Sequence, residues 1–300
     1  MKIMKMGNYS NRRKLLLAAV SAPWLSACSS WADKGKDGST AQAQLAGVEK
    51  TFDGRIGLFA LDTGNGAQLG YRAGERFPMC STFKVVLASA ILERSKHVAG
   101  LMQQRIQYGK SDLVSYSPIT EKHVDDGMTV AELCGAALQY SDNTSSNLLM
   151  KILGGPAAVT AYARTSGDAE FRLDRWETDL NSAIPDDPRD TSTPGAMGHS
   201  LQRLALGDAL EPQLRDQLQN WMHGNTTGAG RIRAGVPVGW QVADKTGGGN
   251  YGTANDIAVL WPTGRAPVVL AIYTTQREKA AKARIDVIAS ATRIAIDWLG

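Results

Sequence analysis

Strand patterns lie at both ends of this chain and helical patterns fill its middle, and that distribution limits the folds open to it. Gly54–Leu61 is a β-type run closed by the turn sequence Asp62-Thr63-Gly64-Asn65-Gly66, and Ala67–Tyr71 then completes a hairpin. Three more β-rich runs, Trp240–Lys245, Ala254–Trp261 and Pro267–Thr274, come late in the chain, separated by Gly, Asn and Pro. The apolar spacing predicts helices over 41–53, from Ser81 to about Lys96, over 129–139, 144–153, 156–166, 194–206 and 211–223, and from about Glu278 to Leu299. The expected class is α/β, an α+β sandwich. An antiparallel sheet built from both termini is flanked by helices, carries an inserted all-helical domain, and leaves the candidate site between them. The expected boundaries are 41–78 with 221–300 for the α/β domain and 79–220 for the helical one. Residues 171–193 show no sustained period and are rich in Asp, Arg, Asn and Pro. A loop that long inside a compact domain is usually functional or disordered.

Three short patterns follow one another in the chain: Ser81-Thr82-Phe83-Lys84, Ser141-Asp142-Asn143 and Lys245-Thr246-Gly247. A nucleophilic serine needs a base within hydrogen-bond reach, and residues three apart share one face of a helix. Ser81 with Lys84 meets both requirements, although one such pair arises by chance about once in a chain this long. Ser81 at a helix start would also bring free backbone N–H groups to the reacting centre; the plain alternative is an N-cap serine. Lys84 needs a depressed pKa to act as a base, through desolvation or a neighbouring cation, and Lys245 is the cation at hand. Ser141 offers a hydroxyl for proton relay and Asn143 an amide for a substrate carbonyl, while both also suit simple helix capping. Lys245, Thr246, Gly247 and Gly248 close a strand with a cation, a hydroxyl and room for an extended ligand. A fourth element, Glu177-Thr178-Asp179-Leu180-Asn181, falls between the second and third patterns.

These elements together resemble the class A β-lactamases, in the branch that includes the cefotaximase and Pen-type enzymes. The resemblance runs from about residue 41 to the C-terminus. It extends to Tyr116, the Phe171–Thr193 loop, Gly224-Asn225-Thr226-Thr227-Gly228 and Tyr251-Gly252-Thr253-Ala254-Asn255-Asp256. It implies that Ser81 is acylated by a β-lactam and that Lys84, or Glu177 through water, takes its proton. By the same resemblance Ser141 passes a proton to the leaving nitrogen, and Glu177 with Asn181 activates the deacylating water. The backbone N–H groups of Ser81 and Gly248 form an oxyanion hole; Arg231, Lys245 and Thr246 hold the substrate carboxylate. The resemblance also implies an Arg175–Asp190 clasp across the Glu177 loop and a cis peptide after Glu177, where many members carry Pro and this chain has Thr178. The implied partner is a small-molecule β-lactam, with no cofactor and no metal. Two other readings share the nucleophile: a penicillin-binding D,D-peptidase and a non-catalytic β-lactam sensor domain.

The formal charge of +4 comes from the first 28 residues, where Lys2, Lys5, Arg12, Arg13 and Lys14 face no acid. Without them 28 basic and 29 acidic side chains remain, which gives no electrostatic case for nucleic acid. Residues 1–28 read as an export signal whose apolar stretch, Leu15–Leu25, is too short to span a bilayer. Leu25-Ser26-Ala27-Cys28 resembles a bacterial lipobox, and an ordinary signal peptide with an incidental Cys28 is the alternative. Asn11-Arg12-Arg13-Lys14-Leu15-Leu16 is similar to a twin-arginine signal without its usual Ser/Thr and Phe. Residues 29–40 read as a tether. The expected product is an exported, periplasmic monomer whose membrane contact is a lipid on Cys28. Cys80 and Cys134 could pair in an oxidising compartment. The family's partners for them fall on Gly249 and Ala88, however, so both are expected to stay reduced. The four histidines match no metal-ligand spacing.

Overall fold

The structure is a computed structural model that describes residues 38–300. The export signal, the Cys28 lipobox and most of the expected tether lie outside the described residues. Helix α1 (Ser39–Glu49) leads into β1 (Gly54–Asp62), β2 (Gln68–Tyr71) and the short β3 (Phe77–Pro78). A 3-10 turn over Cys80–Phe83 runs into α2 (Lys84–Ser95). Next come β4 (Arg105–Ile106), β5 (Met128–Thr129), α3 (Val130–Gln139), α4 (Asn143–Leu153) and α5 (Pro156–Thr165). The loop after α5 ends in β6 (Thr191–Ser192), followed by α6 (Pro194–Ala205) and α7 (Pro212–His223). The chain closes with α8 (Ile232–Gly235), β7 (Gln241–Gly248), β8 (Ala254–Trp261), β9 (Val268–Gln276) and α9 (Ile285–Leu299).

The main sheet has the order β2-β1-β9-β8-β7 and is antiparallel throughout. β1 and β9 pair over their whole length, from Gly54↔Gln276 to Asp62↔Val268, so an early and a late strand lie side by side inside the sheet. Successive side chains in a strand alternate faces. Phe59, Leu61, Val269, Ala271, Ile257 and Val259 enter the core shared with α2 to α7. Leu58, Ala60, Leu270, Ile272, Ala258 and Leu260 pack beneath α1 and α9. Burial on both faces explains why these strands read as continuous apolar runs rather than as alternating ones. The hairpin turn is held by its own side chains: Gly64 N–H donates to Asp62 Oδ1 at 2.9 Å and Ala67 N–H to Asn65 Oδ1 at 2.8 Å.

Both terminal helices are shorter than expected. α1 stops at Glu49, not residue 53, because Thr51 Oγ1 donates to Val48 O and turns the chain toward β1. α9 starts at Ile285, not near Glu278. The backbone over 277–284 is committed elsewhere: Tyr251 N–H donates to Lys279 O and Gln276 Nε2 to Lys282 O. The helix expected from Ser81 begins as a 3-10 turn, in which residues three apart still eclipse one another.

Candidate active site

Ser81 sits in the 3-10 turn, 7% exposed. The turn is pinned from three sides. Met79 N–H donates to Asp190 O, Cys80 adopts φ +45°, and the Thr82 hydroxyl bonds Met79 O and the Tyr273 hydroxyl. The Ser81 hydroxyl does not bond Lys84, its expected partner. It donates instead to Glu177 Oε1 at 3.5 Å. Lys84 is fully buried and reaches the same Oε1 at 3.1 Å, so Glu177 stands between them. The other Lys84 Nζ protons go to Asn143 Oδ1 at 2.7 Å and Ser141 O at 2.8 Å. Burial pushes the Lys84 ammonium below its ordinary range, and Glu177 pulls it back.

Ser141 adopts φ +59° and turns its hydroxyl to Lys245, whose Nζ donates to it at 3.0 Å. Asp142 is the N-cap of α4, accepting from Ser145 N–H at 2.8 Å. Its buried carboxylate also takes the Ile119 and Thr120 N–H groups, which ties the Tyr116 loop to the helix. Asn143 binds that loop a second time. Its N–H donates to Tyr116 O, and its Nδ2 to Ser115 O at 2.9 Å. With Oδ1 on Lys84 and Nδ2 on Ser115, the Asn143 amide braces Lys84 against the loop, and its second Nδ2 proton is left for a substrate carbonyl. Tyr116 itself is 59% exposed beside this brace.

The Glu177 loop is held at three points. Arg175 Nε donates to Asp190 Oδ2 at 2.6 Å, while Asp190 Oδ1 takes the N–H groups of Asp174 and Arg175. This is the expected clasp, and the Glu177–Thr178 peptide is cis, also as expected. The third hold had no counterpart in the sequence reading: Asn147 on α4 accepts Glu177 N–H at 3.0 Å and donates to Glu177 O at 2.9 Å. Its position one helical turn beyond Asn143 is the signal that could have found it. Asn181 Nδ2 donates to Glu177 Oε2 at 2.5 Å. Asn181 Oδ1 is buried without a protein partner.

Strand β7 supplies the opposite wall. Lys245 is fully buried and donates to Ser141 Oγ and Thr246 O. Its ammonium lies well below its ordinary range, first through burial and then through repulsion from Lys84 and Arg231. Thr246 bonds the Thr227 hydroxyl. A Cβ on Gly247 would stand 2.8 Å from Met79 O, so only glycine lets the strand approach the Ser81 turn. Gly248 faces more open space, with Arg231 Nη2 3.9 Å from its would-be Cβ. Arg231 is half-buried, and its Nη1 donates to Gly247 O and Asn255 O.

Cys80 and Cys134 are both buried free thiols. A Cβ on Gly249 would stand 2.9 Å from Cys80 Sγ, which fits the position at which the resemblance puts the missing partner. Among the described residues no cluster of His, Cys, Asp or Glu could hold a metal ion. The arrangement therefore offers a serine oxygen facing a carboxylate, a second serine facing a buried lysine, and a half-buried cation, Arg231, beside them.

The sequence profile described as "Beta-lactamase enzyme family" matches residues 40–299. The chain is 58% identical over 257 residues to the carbapenem-hydrolyzing β-lactamase KPC of Klebsiella oxytoca, covering 85% of this chain and 88% of that one. It is 55% identical over 256 residues to β-lactamase CTX-M-8 of Citrobacter amalonaticus, again covering 85% and 88%. The crystal structure of a β-lactamase from Desulfarculus baarsii superposes with a TM-score of 0.87. The two chains are 59% identical, over 89% of this chain and 99% of that one.

Proposed function

The chain belongs to the β-lactamase enzyme family, hydrolases that open the β-lactam amide, and we propose that it does so through an ester on Ser81. Its activity confers resistance to β-lactam antibiotics. The observation that carries the mechanism is the position of Glu177 Oε1, 3.5 Å from Ser81 Oγ and 3.1 Å from Lys84 Nζ. Ser81 Oγ attacks the lactam carbonyl as its proton passes to Glu177, directly or through one water. Lys84, with its protons spent on Ser141 O, Asn143 Oδ1 and Glu177, is the fixed cation that holds this carboxylate in place. The Ser81 and Gly248 N–H groups receive the developing oxyanion. As the C–N bond breaks, Ser141 Oγ gives its proton to the lactam nitrogen; its lone pair is already held by Lys245. The proton on Glu177 returns through solvent to Ser141 Oγ, which leaves Glu177 a carboxylate again. Water then attacks the ester and gives one proton to Glu177, which passes it to Ser81 Oγ as the ester C–O bond breaks. The product is a ring-opened amino acid with one new carboxylate. Asn181, with Nδ2 on Glu177 and Oδ1 open, suits a water held between the two residues.

A dedicated base for the second half of the reaction separates this reading from a penicillin-binding D,D-peptidase or a sensor domain, which would stop at the ester. Continuous hydrolysis of a chromogenic cephalosporin supports it, and a single stoichiometric burst rejects it.

Arg231 and Lys245, with Thr246, are the groups for the substrate's carboxylate. Arg231→Ala should raise KM about tenfold and change kcat little, as loss of uniform binding does. Unchanged KM for a carboxylate-bearing penicillin would remove Arg231 from the site. Arg175→Ala should loosen the Glu177 loop, because it leaves the buried Asp190 carboxylate without its cation, at a cost of about 2–4 kcal/mol. Deacylation should slow while acylation holds, and bulkier cephalosporins should gain access. Deacylation equal to the parent enzyme's would reject the clasp.

The chain is proposed to work as a monomer in the periplasm, exported by its first 28 residues and anchored by lipid on Cys28. The support is Leu25-Ser26-Ala27-Cys28 after a basic and then an apolar stretch. Cys28→Ala should move the enzyme from the membrane fraction to the soluble one, since several acyl chains hold a protein that one holds weakly. An unchanged membrane fraction contradicts the lipid.

A further inference from the structure

We propose that Asn255, buried on β8 beneath the nucleophile turn, is a positioning residue that sets the gap between the Ser81 and Gly248 N–H groups. The proposal rests on the reading of those two groups as the receivers of the oxyanion.

The two donors stand on separate pieces of chain. Ser81 belongs to the 3-10 turn over Cys80–Phe83, and Gly248 ends β7, the edge strand of the main sheet. Bonds inside the turn or inside the ladder do not set the distance between them; a group must reach from one to the other. Gly247 on β7 pairs with Asn255 on β8, Asn255 with Tyr273 on β9, and Tyr273 with Gly57 on β1. Paired residues point to the same face, so this row across four strands is the seat for segment 77–82. A Cβ on Gly57 would stand 2.5 Å from the Phe77 ring, and one on Gly247 2.8 Å from Met79 O, so glycine lets the segment lie close at both ends of the row. The Tyr273 hydroxyl bonds Thr82 Oγ1 at 3.0 Å. Asn255 Nδ2 donates to Pro78 O at 2.8 Å and to Met79 O at 3.0 Å.

Asn255 is the member of the row that joins the two donors. It is fully buried, and the Met79 carbonyl it holds lies two residues before Ser81. Its partner across the ladder, Gly247, lies one residue before Gly248. One side chain thus ties both halves of the oxyanion site together. An amide suits the place. Its NH2 has a proton for each carbonyl, it brings no charge into a buried position, and its Oδ1 accepts Thr274 N–H at 3.4 Å. Without Asn255, Met79 O would keep the Thr82 hydroxyl at 2.9 Å, a bond inside the turn. The turn would hold its shape and lose its hydrogen-bonded tie to β8, and through β8 to β7.

The test uses Asn255→Ala and Asn255→Ser in the intact enzyme, well below the melting temperature of each. The readouts are kcat and KM for a penicillin, and the Ki of a boronic acid that bears the same side chain and forms a tetrahedral adduct on a serine oxygen. Both variants should lower kcat about 10²-fold, the scale of a small misplacement at a reacting centre. Acylation and deacylation each pass through an oxyanion, so they should slow together and leave KM within about threefold. Arg231 bonds the main-chain oxygen of Asn255, a contact both variants keep. The boronic acid Ki should rise by the factor by which kcat/KM falls, because the adduct meets the same donors as the transition state. An unchanged kcat, whatever happens to KM or the melting temperature, overturns the proposal. So does a fall in kcat that leaves the boronic acid Ki in place. If the parent enzyme binds the boronic acid no better than the carboxylic acid of the same shape, the oxyanion reading falls and takes the proposal with it. Should Asn255→Ala not fold, Asn255→Ser, whose shorter side chain does not span to Met79 O, decides by the same comparison.

Discussion

Ser81→Ala is expected to abolish turnover of penicillins, lowering kcat by about 10⁴-fold or more. The reaction needs an oxygen that can form an ester and hand its proton to a nearby carboxylate. Among the described residues Ser81 Oγ is the hydroxyl bonded to Glu177. The other site hydroxyls are engaged differently: Ser141 Oγ with Lys245, and Thr246 Oγ1 with Thr227. Neither can replace the nucleophile without moving. The oxyanion and carboxylate contacts survive in Ser81→Ala, so substrate should still bind. The lost hydrogen bond is long, and removing it should change stability by about 1 kcal/mol or less. Turnover like the parent enzyme's in a folded Ser81→Ala protein would sink the mechanism.

Glu177→Gln is expected to split the reaction in two. An amide keeps the size of the side chain, its oxygen can still accept from Lys84, and its NH2 can donate to Asn181 if that amide turns its unpartnered oxygen over, but it cannot take a proton from water. Deacylation should fall by about 10²–10⁴-fold, the usual contribution of a general base. Acylation should fall less, because Lys84 lies against the same Glu177 oxygen and, lowered by burial and freed of the carboxylate that holds it up, can take the Ser81 proton in its place. Rapid mixing with a chromogenic cephalosporin should therefore show a burst of one product per enzyme and then a slow line. Steady turnover within a few-fold of the parent enzyme would show that Glu177 is not the deacylation base.

Much of the fold was legible because the sheet is buried on both faces. Its strands are long apolar runs bounded by turn residues, and the hairpin turn carries its Asx residues in view. The ends of α1 and α9 were not legible, since the residues that stop or delay them act through tertiary bonds such as Tyr251 N–H to Lys279 O. In the site, the motif residues assemble, but their pairings differ from those that sequence spacing suggests. Ser81 and Lys84 are three apart, yet the hydroxyl turns to a carboxylate 96 residues away. Asn143 looks like a free amide in sequence and is tied to Lys84 and Ser115 once the Tyr116 loop folds against it. Asn147 and Asn255 sit in ordinary helix and strand patterns, and only the bonds to Glu177 and Met79 distinguish them.

The central claim is an ester on Ser81 that Glu177 discharges. It is tested most directly by mapping the adduct formed when Glu177→Gln is mixed with a penicillin, then digested and read by mass spectrometry. The account predicts one equivalent of penicilloyl mass, persistent, on the peptide that bears Ser81, and only a transient trace of it in the parent enzyme. A stable adduct on another peptide, or no adduct while Glu177→Gln turns over freely, would contradict it.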